Sequence, residues 1–211
     1  MRCLLIQANG NNNRMGHYFK QPKYELYYNG SKIIDRIIEN SNGAFDKIFV
    51  AIRRGVEINF NSSMVDLIYC ERTESRIETL KNCFEKLEDY ESVIIHDCDV
   101  VIDRDVLEEM SGNSLAVASY RRDGLKYGFV ELDRKMRYLK GNEKEKEEGH
   151  VSIGAYSVSY KEFNEYLKEA SNESLLEYYN LLDGDNIEVV YSKNHINLGD
   201  IESYIGNLWS L

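Results

Sequence analysis

The chain has 211 residues, 43% of them hydrophobic, which is enough for a full core and fits one domain over residues 1–211 better than two. A formal charge of −10 argues against non-specific DNA or RNA binding, yet leaves room for a small anionic substrate met by a local basic cluster. No apolar run approaches the roughly 18 residues needed to cross a bilayer, and the apolar stretch near Met1 is too short for a signal peptide, so a cytoplasmic protein with no membrane partner is expected.

Arg2 to Ala8 is a short apolar run followed at once by a loop, the pattern of a buried strand. The loop, residues 9–16 (NGNNNRMG), is built from residues that tolerate positive φ. Ser31 is placed to cap a helix over 31–40 with Ile33, Ile34, Ile37 and Ile38 on one face. Asp46 to Ile52 and Leu67 to Cys70 read as strands. Ser75-Arg76-Ile77-Glu78 is a capping box that opens a helix with the stripe Ile77, Leu80, Phe84 and Leu87. Ser92 to His96 is another buried strand, ending in Asp97-Cys98-Asp99, and a helix over 103–110 follows. This alternation predicts a parallel, doubly wound sheet.

The second half changes texture. Residues 115–120, 128–133, 151–158 and 187–191 read as strands, and 172–182 and 201–210 as helices, with a further helix capped by Ser159 and Glu162. The charge run Lys140 to Gly149 reads as a solvated hairpin loop. Cys3, Cys70, Cys83 and Cys98 form no C-x-x-C pair and the four His residues are scattered, so reduced core thiols are expected rather than a zinc site.

Three segments carry candidate chemistry. Asn9-Gly10-Asn11-Asn12-Asn13 directly follows the first strand, where small residues can turn several backbone N–H groups toward one anion. Arg14 adds a fork for phosphate and Lys23 a point charge, with His17 and Lys20 beside them; a polar turn carrying ordinary surface cations is the alternative. Asp97 and Asp99 lie at a strand's carboxyl end, where carboxylates hold Mg²⁺ or else serve as a helix cap or turn pair. The tail Ile196 to Tyr204 is a turn entering a helix.

In this order the segments resemble the sugar-phosphate nucleotidyltransferase superfamily. Gln7-Ala8-Asn9-Gly10-x-Asn12-x-Arg14-Met15, then Pro22-Lys23, is similar to its opening L-A-A-G-x-G-x-R-[ML] with P-K downstream. Asn9 and Asn12 replace small residues of that pattern. Ser75-Arg76-x-x-Thr79-Leu80 with His96-Asp97 resembles the methylerythritol-phosphate and ribitol-phosphate cytidylyltransferases. Tyr127 to Asp133, Glu143-Lys144, Gly154-Ala155-Tyr156 and the tail resemble the sugar-1-phosphate branch, with Asn197 where that branch has a metal-binding Asp.

The resemblance implies a three-layer α/β/α Rossmann-like (GT-A-like) fold, mostly parallel, with a small β-rich insertion. It implies transfer of NMP from an NTP, CTP favoured, to a phosphorylated sugar or polyol, as in surface-polysaccharide or isoprenoid-type precursor synthesis. Arg14 and Lys23 would be catalytic. Ala8, residues 9–13, Arg76 and Thr79 would meet the nucleotide, Asp99 or Asp97 would hold Mg²⁺, and Lys144, Gly128 and Asn197 would face the acceptor. A homodimer, a glycosyltransferase using a nucleoside-diphosphate sugar, and a non-catalytic nucleotide binder stay open as alternatives.

Overall fold

The computed structural model describes residues 1–10, 21–60, 62–71, 73, 75–121, 128–143, 148–171 and 174–209. Its frame is a parallel sheet built by the apolar runs. β1 (Arg2–Gln7) lies at the centre, with β4 (Lys47–Arg53) on one side and β5 (Val65–Cys70) beyond it. β6 (Ser92–Asp97) returns to the other side of β1. All three of these pairings are parallel, in the order β5-β4-β1-β6. Strands buried on both faces read as unbroken apolar runs, and CLLI within β1 is wholly buried.

Alternate residues of β1 enter two cores. Leu4 and Ile6 pack with Ile33, Ile34 and Ile37 of α1 (Ile33–Ser41) and with Val106 and Leu107 of α3 (Arg104–Glu109). Cys3 and Leu5 pack with Ile77, Leu80 and Phe84 of α2 (Arg76–Phe84), Phe163 and Leu167 of α4 (Tyr160–Glu169), and Leu176 and Tyr179 of α5 (Leu176–Leu181). Each large side chain so buried contributes roughly 1.5–3 kcal/mol, and the period of two lets one strand serve both layers. The result is the α/β/α Rossmann-like architecture.

The sheet continues with antiparallel strands. β11 (Glu148–Ser159) runs against β6 along its second half and against β9 (Gly128–Leu132) along its first. Its other edge pairs with β8 (Ser114–Arg121), on which β12 (Glu188–Tyr191) lies parallel. The β11–β8 register shifts between Ser152 and Tyr156, around Gly154, whose φ is +85°. This bulge lets β11 pass from β9 to β6.

Three expectations fail, the smallest at Ser159, which holds the cap position of α4 without a side-chain capping bond. Ser31 does not cap α1. It belongs to the two-residue strand β3 (Ser31–Lys32), paired with β2 (Tyr27–Tyr28), and the cap position is Lys32 with no side-chain bond. The start of the charge run is not loop either. Lys140 to Glu143 belong to β10 (Tyr138–Glu143), paired with β9, and Asn180 of α5 binds both the N–H and the carbonyl of Gly141 there. Residues 144–147 lie outside the described set.

The capping box at Ser75 is formed as expected, since its Oγ accepts the Glu78 N–H at 3.1 Å. Ser75→Ala should cost about 1 kcal/mol, measurable as a lower urea midpoint with an unchanged slope. The cysteines are free thiols, with Cys3, Cys70 and Cys83 buried. No helix among the described residues is long and apolar enough to cross a membrane.

Candidate active site

The chain winds outward from β1 to β5 and then crosses back to β6, so the winding direction reverses between β1 and β6. In open α/β sheets ligands bind beyond the carboxyl ends of such a pair. Gln7 of β1 stands in register with Asp97 of β6 at that edge. Ala8 extends the ladder by one bond to Ala51, and Asn9 and Gly10 follow.

The N-terminus of α2 covers this edge. Asn9, 3% exposed, donates from Nδ2 to the Glu71 carbonyl at 3.2 Å and to Thr73 Oγ1 at 3.0 Å, and lies 3.5 Å from Thr79 Oγ1. Thr73 and Thr79 share a hydroxyl hydrogen bond of 2.6 Å. One turn earlier on α2, the Arg76 guanidinium pairs with Asp97 Oδ1 and lies over the Tyr156 ring at 5.8 Å. α2 is thus tied to β1 through Asn9 and to β6 through Asp97.

Asp97 is also pressed by Gly154 in the β11 bulge. A Cβ there would sit 2.8 Å from Asp97 Oδ2. His96, wholly buried, donates from Nδ1 to the Asp97 carbonyl at 2.6 Å, and burial lowers its pKa, so the ring is neutral at pH 7. Burial also raises the Cys98 thiol, which therefore stays protonated between the two aspartates.

Lys23 enters from the other side. The chain reaches it through Pro22 and a single turn, Lys23–Glu25. The ammonium donates to Asp99 Oδ2 at 2.7 Å and to the Gly199 carbonyl at 2.6 Å, with Lys23 and Asp99 each 7% exposed. Gly199 is brought there by a short ribbon. β7 (Val100–Ile102) follows Asp99 directly and pairs antiparallel with β13 (His195–Asn197), and the Leu198 N–H bonds the Asp99 carbonyl. Asn197 Oδ1 accepts the Gly199 N–H at 2.7 Å. α6 (Ile201–Trp209) closes the tail, where Asn207 donates to the Asn197 carbonyl.

Lys23, Asp97, Asp99, Arg76, Thr79, Asn9 and Asn197 thus gather at one edge, with Ala8 and Gly10 beside them. Gly128 opens β9 opposite Glu143, and no hydrogen bond among the described residues joins it to this cluster. Asn11, Asn12, Asn13, Arg14, His17, Lys20 and Lys144 lie outside the described residues. The Gly199 carbonyl, the Tyr156 ring and the Thr73 hydroxyl are site groups beyond those expected from the sequence. Strands of three residues such as β7 and β13 carry too little periodicity to be seen, and their pairing helps bring residue 199 to residue 99.

Asp99 Oδ2 and Asn197 Oδ1 both lie within 3.0 Å of the point a Cβ on Gly199 would take. Carboxylate and carboxamide oxygens are the donors a hard divalent cation takes, and here Asp99 Oδ2 accepts from Lys23 and Asn197 Oδ1 from the Gly199 N–H. Among the described residues no group of three or more His, Cys, Asp or Glu side chains gathers to hold a metal. Further ligands would therefore come from substrate phosphate and water.

The reversal at β1 and β6, with a polar cluster at its carboxyl edge, defines a Rossmann-type fold. The chain belongs to the MobA-like NTP transferase domain family, which it matches over residues 4–181, and so to the nucleotidyltransferases. No curated protein matches it by sequence. Its fold is similar to HddC from Yersinia pseudotuberculosis, with TM-score 0.77, 20% identity and 100% and 99% of the two chains covered. It is similar to a UDP-glucose pyrophosphorylase complexed with UDP-glucose, with TM-score 0.81, 14% identity and 100% and 98% covered. UTP-bound UGPase from Acinetobacter baumannii gives TM-score 0.82 and 13% identity, with 100% and 93% covered.

Proposed function

We propose that the chain, acting as a single catalytic unit, transfers NMP from an NTP, with CTP favoured, to a phosphorylated sugar or polyol, and releases pyrophosphate. The observation that carries this reading is the buried Lys23–Asp99 pair, two residues beyond the Asp97 that holds Arg76 at the switch-point edge. Buried cations are costly without a partner, so Lys23 is a fixed ammonium held where anionic phosphate would arrive. The similarity of fold to proteins complexed with UTP and UDP-glucose supports the same substrate class.

The reaction is an in-line attack. A phosphate oxygen of the acceptor forms a bond to the α-phosphorus, the bond to the β-phosphate oxygen breaks, and pyrophosphate leaves with the electron pair. The second pKa of a phosphomonoester is about 6, so the nucleophile is already ionised near pH 7 and no general base is needed. This agrees with a cluster whose histidine is buried and neutral. Catalysis then rests on alignment and charge stabilisation.

Lys23 and Arg14 would stabilise charge on the α-phosphate and the leaving group. Residues 9–13 would offer backbone N–H groups to the phosphates. Arg76 and Thr79 would border the nucleotide, and Asn197, Gly128 and Lys144 the acceptor. Asp99, with Asp97 beside it, would hold Mg²⁺, which neutralises phosphate charge when bound.

The test is pyrophosphate release with each of four NTPs against sugar-1-phosphates and polyol phosphates. Release should require the acceptor, vanish with chelator and return with Mg²⁺. An NDP-sugar that binds tightly while no NTP binds would instead favour a glycosyltransferase.

A further inference from the structure

We propose that the side-chain carboxamides of Gln7 and Asn9 form a base-reading edge that selects a nucleoside triphosphate bearing an exocyclic amino group. The inference rests on the nucleotidyl-transfer reading and adds to it the side chains that choose the base.

Residues two apart on a strand share a face. Cys3 and Leu5 of β1 face the core under α2, and Gln7 and Asn9 continue that row. The contacts of Asn9 with Thr73 and Thr79 place it on the α2 side. Both side-chain polar atoms of Gln7 and the Oδ1 of Asn9 are buried with no hydrogen-bond partner among the described residues. Three neighbouring amide atoms left unmet on one face is unusual, because buried polar groups are paired in nearly all cases. A row of unmet amide atoms beside the switch point between β1 and β6 is what a polar ligand would complete.

The hydrogen bonds of Asn9 fix which group it can accept. The Glu71 carbonyl only accepts, so the atom 3.2 Å from it is the amide nitrogen and the amide orientation is settled. The other amide proton points at Thr73 Oγ1. Thr79 Oγ1 lies 3.3 Å from the Ser75 carbonyl and 2.6 Å from Thr73 Oγ1, so the hydroxyls run in one direction, from Thr73 to Thr79 to Ser75. Both amide protons of Asn9 are therefore spent, and only its oxygen remains. That oxygen can take a hydrogen bond from an amino group and is repelled by a carbonyl. Gln7, with donor and acceptor both unmet, can turn to suit the ring atom beside that amino group.

Cytosine and uracil make the sharpest comparison, since at position 4 one carries an amino group and the other a carbonyl. The experiment measures binding and pyrophosphate release with CTP and with UTP on the full chain and on Asn9→Ala and Gln7→Leu. The wild type should prefer CTP at least about 10-fold, and Asn9→Ala should bring the two nucleotides within about 3-fold of each other by losing CTP affinity. The ratio cancels any general loss of folded protein, and Gln7→Leu, which keeps the size of the side chain, should lower the same ratio. Equal use of both nucleotides by the wild type, or an unchanged ratio in Asn9→Ala, overturns this inference while leaving nucleotidyl transfer intact. If no NTP binds and none is turned over, nucleotidyl transfer itself fails, and base selection falls with it.

Discussion

Lys23→Ala should lower pyrophosphate release at least about 100-fold, the scale seen when one preorganised stabiliser is removed, and should destabilise the fold as well. The two effects have different origins. The Lys23 ammonium is bound to Asp99 and to the Gly199 carbonyl in a setting where both side chains are almost fully enclosed. Removing it breaks a buried ion pair, which costs about 3–5 kcal/mol. Asp99→Ala breaks the same pair from the other side and should be as inactive.

The double variant Lys23→Met/Asp99→Asn separates the effects. It removes both charges together, so stability in urea should recover most of the loss, because a buried ion pair contributes little over neutral groups of similar size. Activity should not recover. A double variant with near-normal turnover would show that the pair is only a structural tie.

Gly154→Ala should also have a large effect, although residue 154 is not placed in contact with substrate. Its φ of +85° disfavours any side chain, and the new Cβ would meet Asp97 Oδ2 at 2.8 Å and Asp97 Cβ and Cγ at 3.1 Å. A residue forced into that backbone conformation costs of order 1–3 kcal/mol. The clash adds to this, and it falls on Asp97, whose contact with Arg76 ties α2 to β6. Displacements near 1 Å at a reacting centre cost about 100-fold in rate, so turnover should fall about 10-fold or more while the urea midpoint drops. A Gly154→Ala protein of unchanged stability would mean that the bulge yields without moving Asp97.

Much of this arrangement was legible in the chain. CLLI, KIFVAI and SVIIH are apolar runs too short for helices, and the capping box at Ser75 separates two of them, so the parallel half of the sheet followed directly. The position of Asp97 and Asp99 at the end of β6 followed with it. Other features needed long-range pairing. β10 is written in the polar residues of a charge run, because it lies on the sheet's edge and its backbone is held by Asn180, 37 or more residues further along the chain. Ser31 has the side chain of a cap but is taken by pairing with Tyr28. The convergence of Gly199 and Asn197 on Lys23 and Asp99 depends on two three-residue strands far apart in sequence. Asn9 was visible as a departure from a pattern of small residues, but that its donors are spent is a fact of geometry alone.

The central claim is that a nucleotidyl group passes from an NTP to an acceptor phosphate at the edge where Lys23 meets Asp99. Label carried on the α-phosphorus of CTP tests it most directly, with a sugar-1-phosphate or polyol phosphate and Mg²⁺ present. The label should appear in a nucleoside-diphosphate product in step with pyrophosphate, and Lys23→Ala should abolish both. Label that stays in CTP with every acceptor, although CTP binds, would contradict the account.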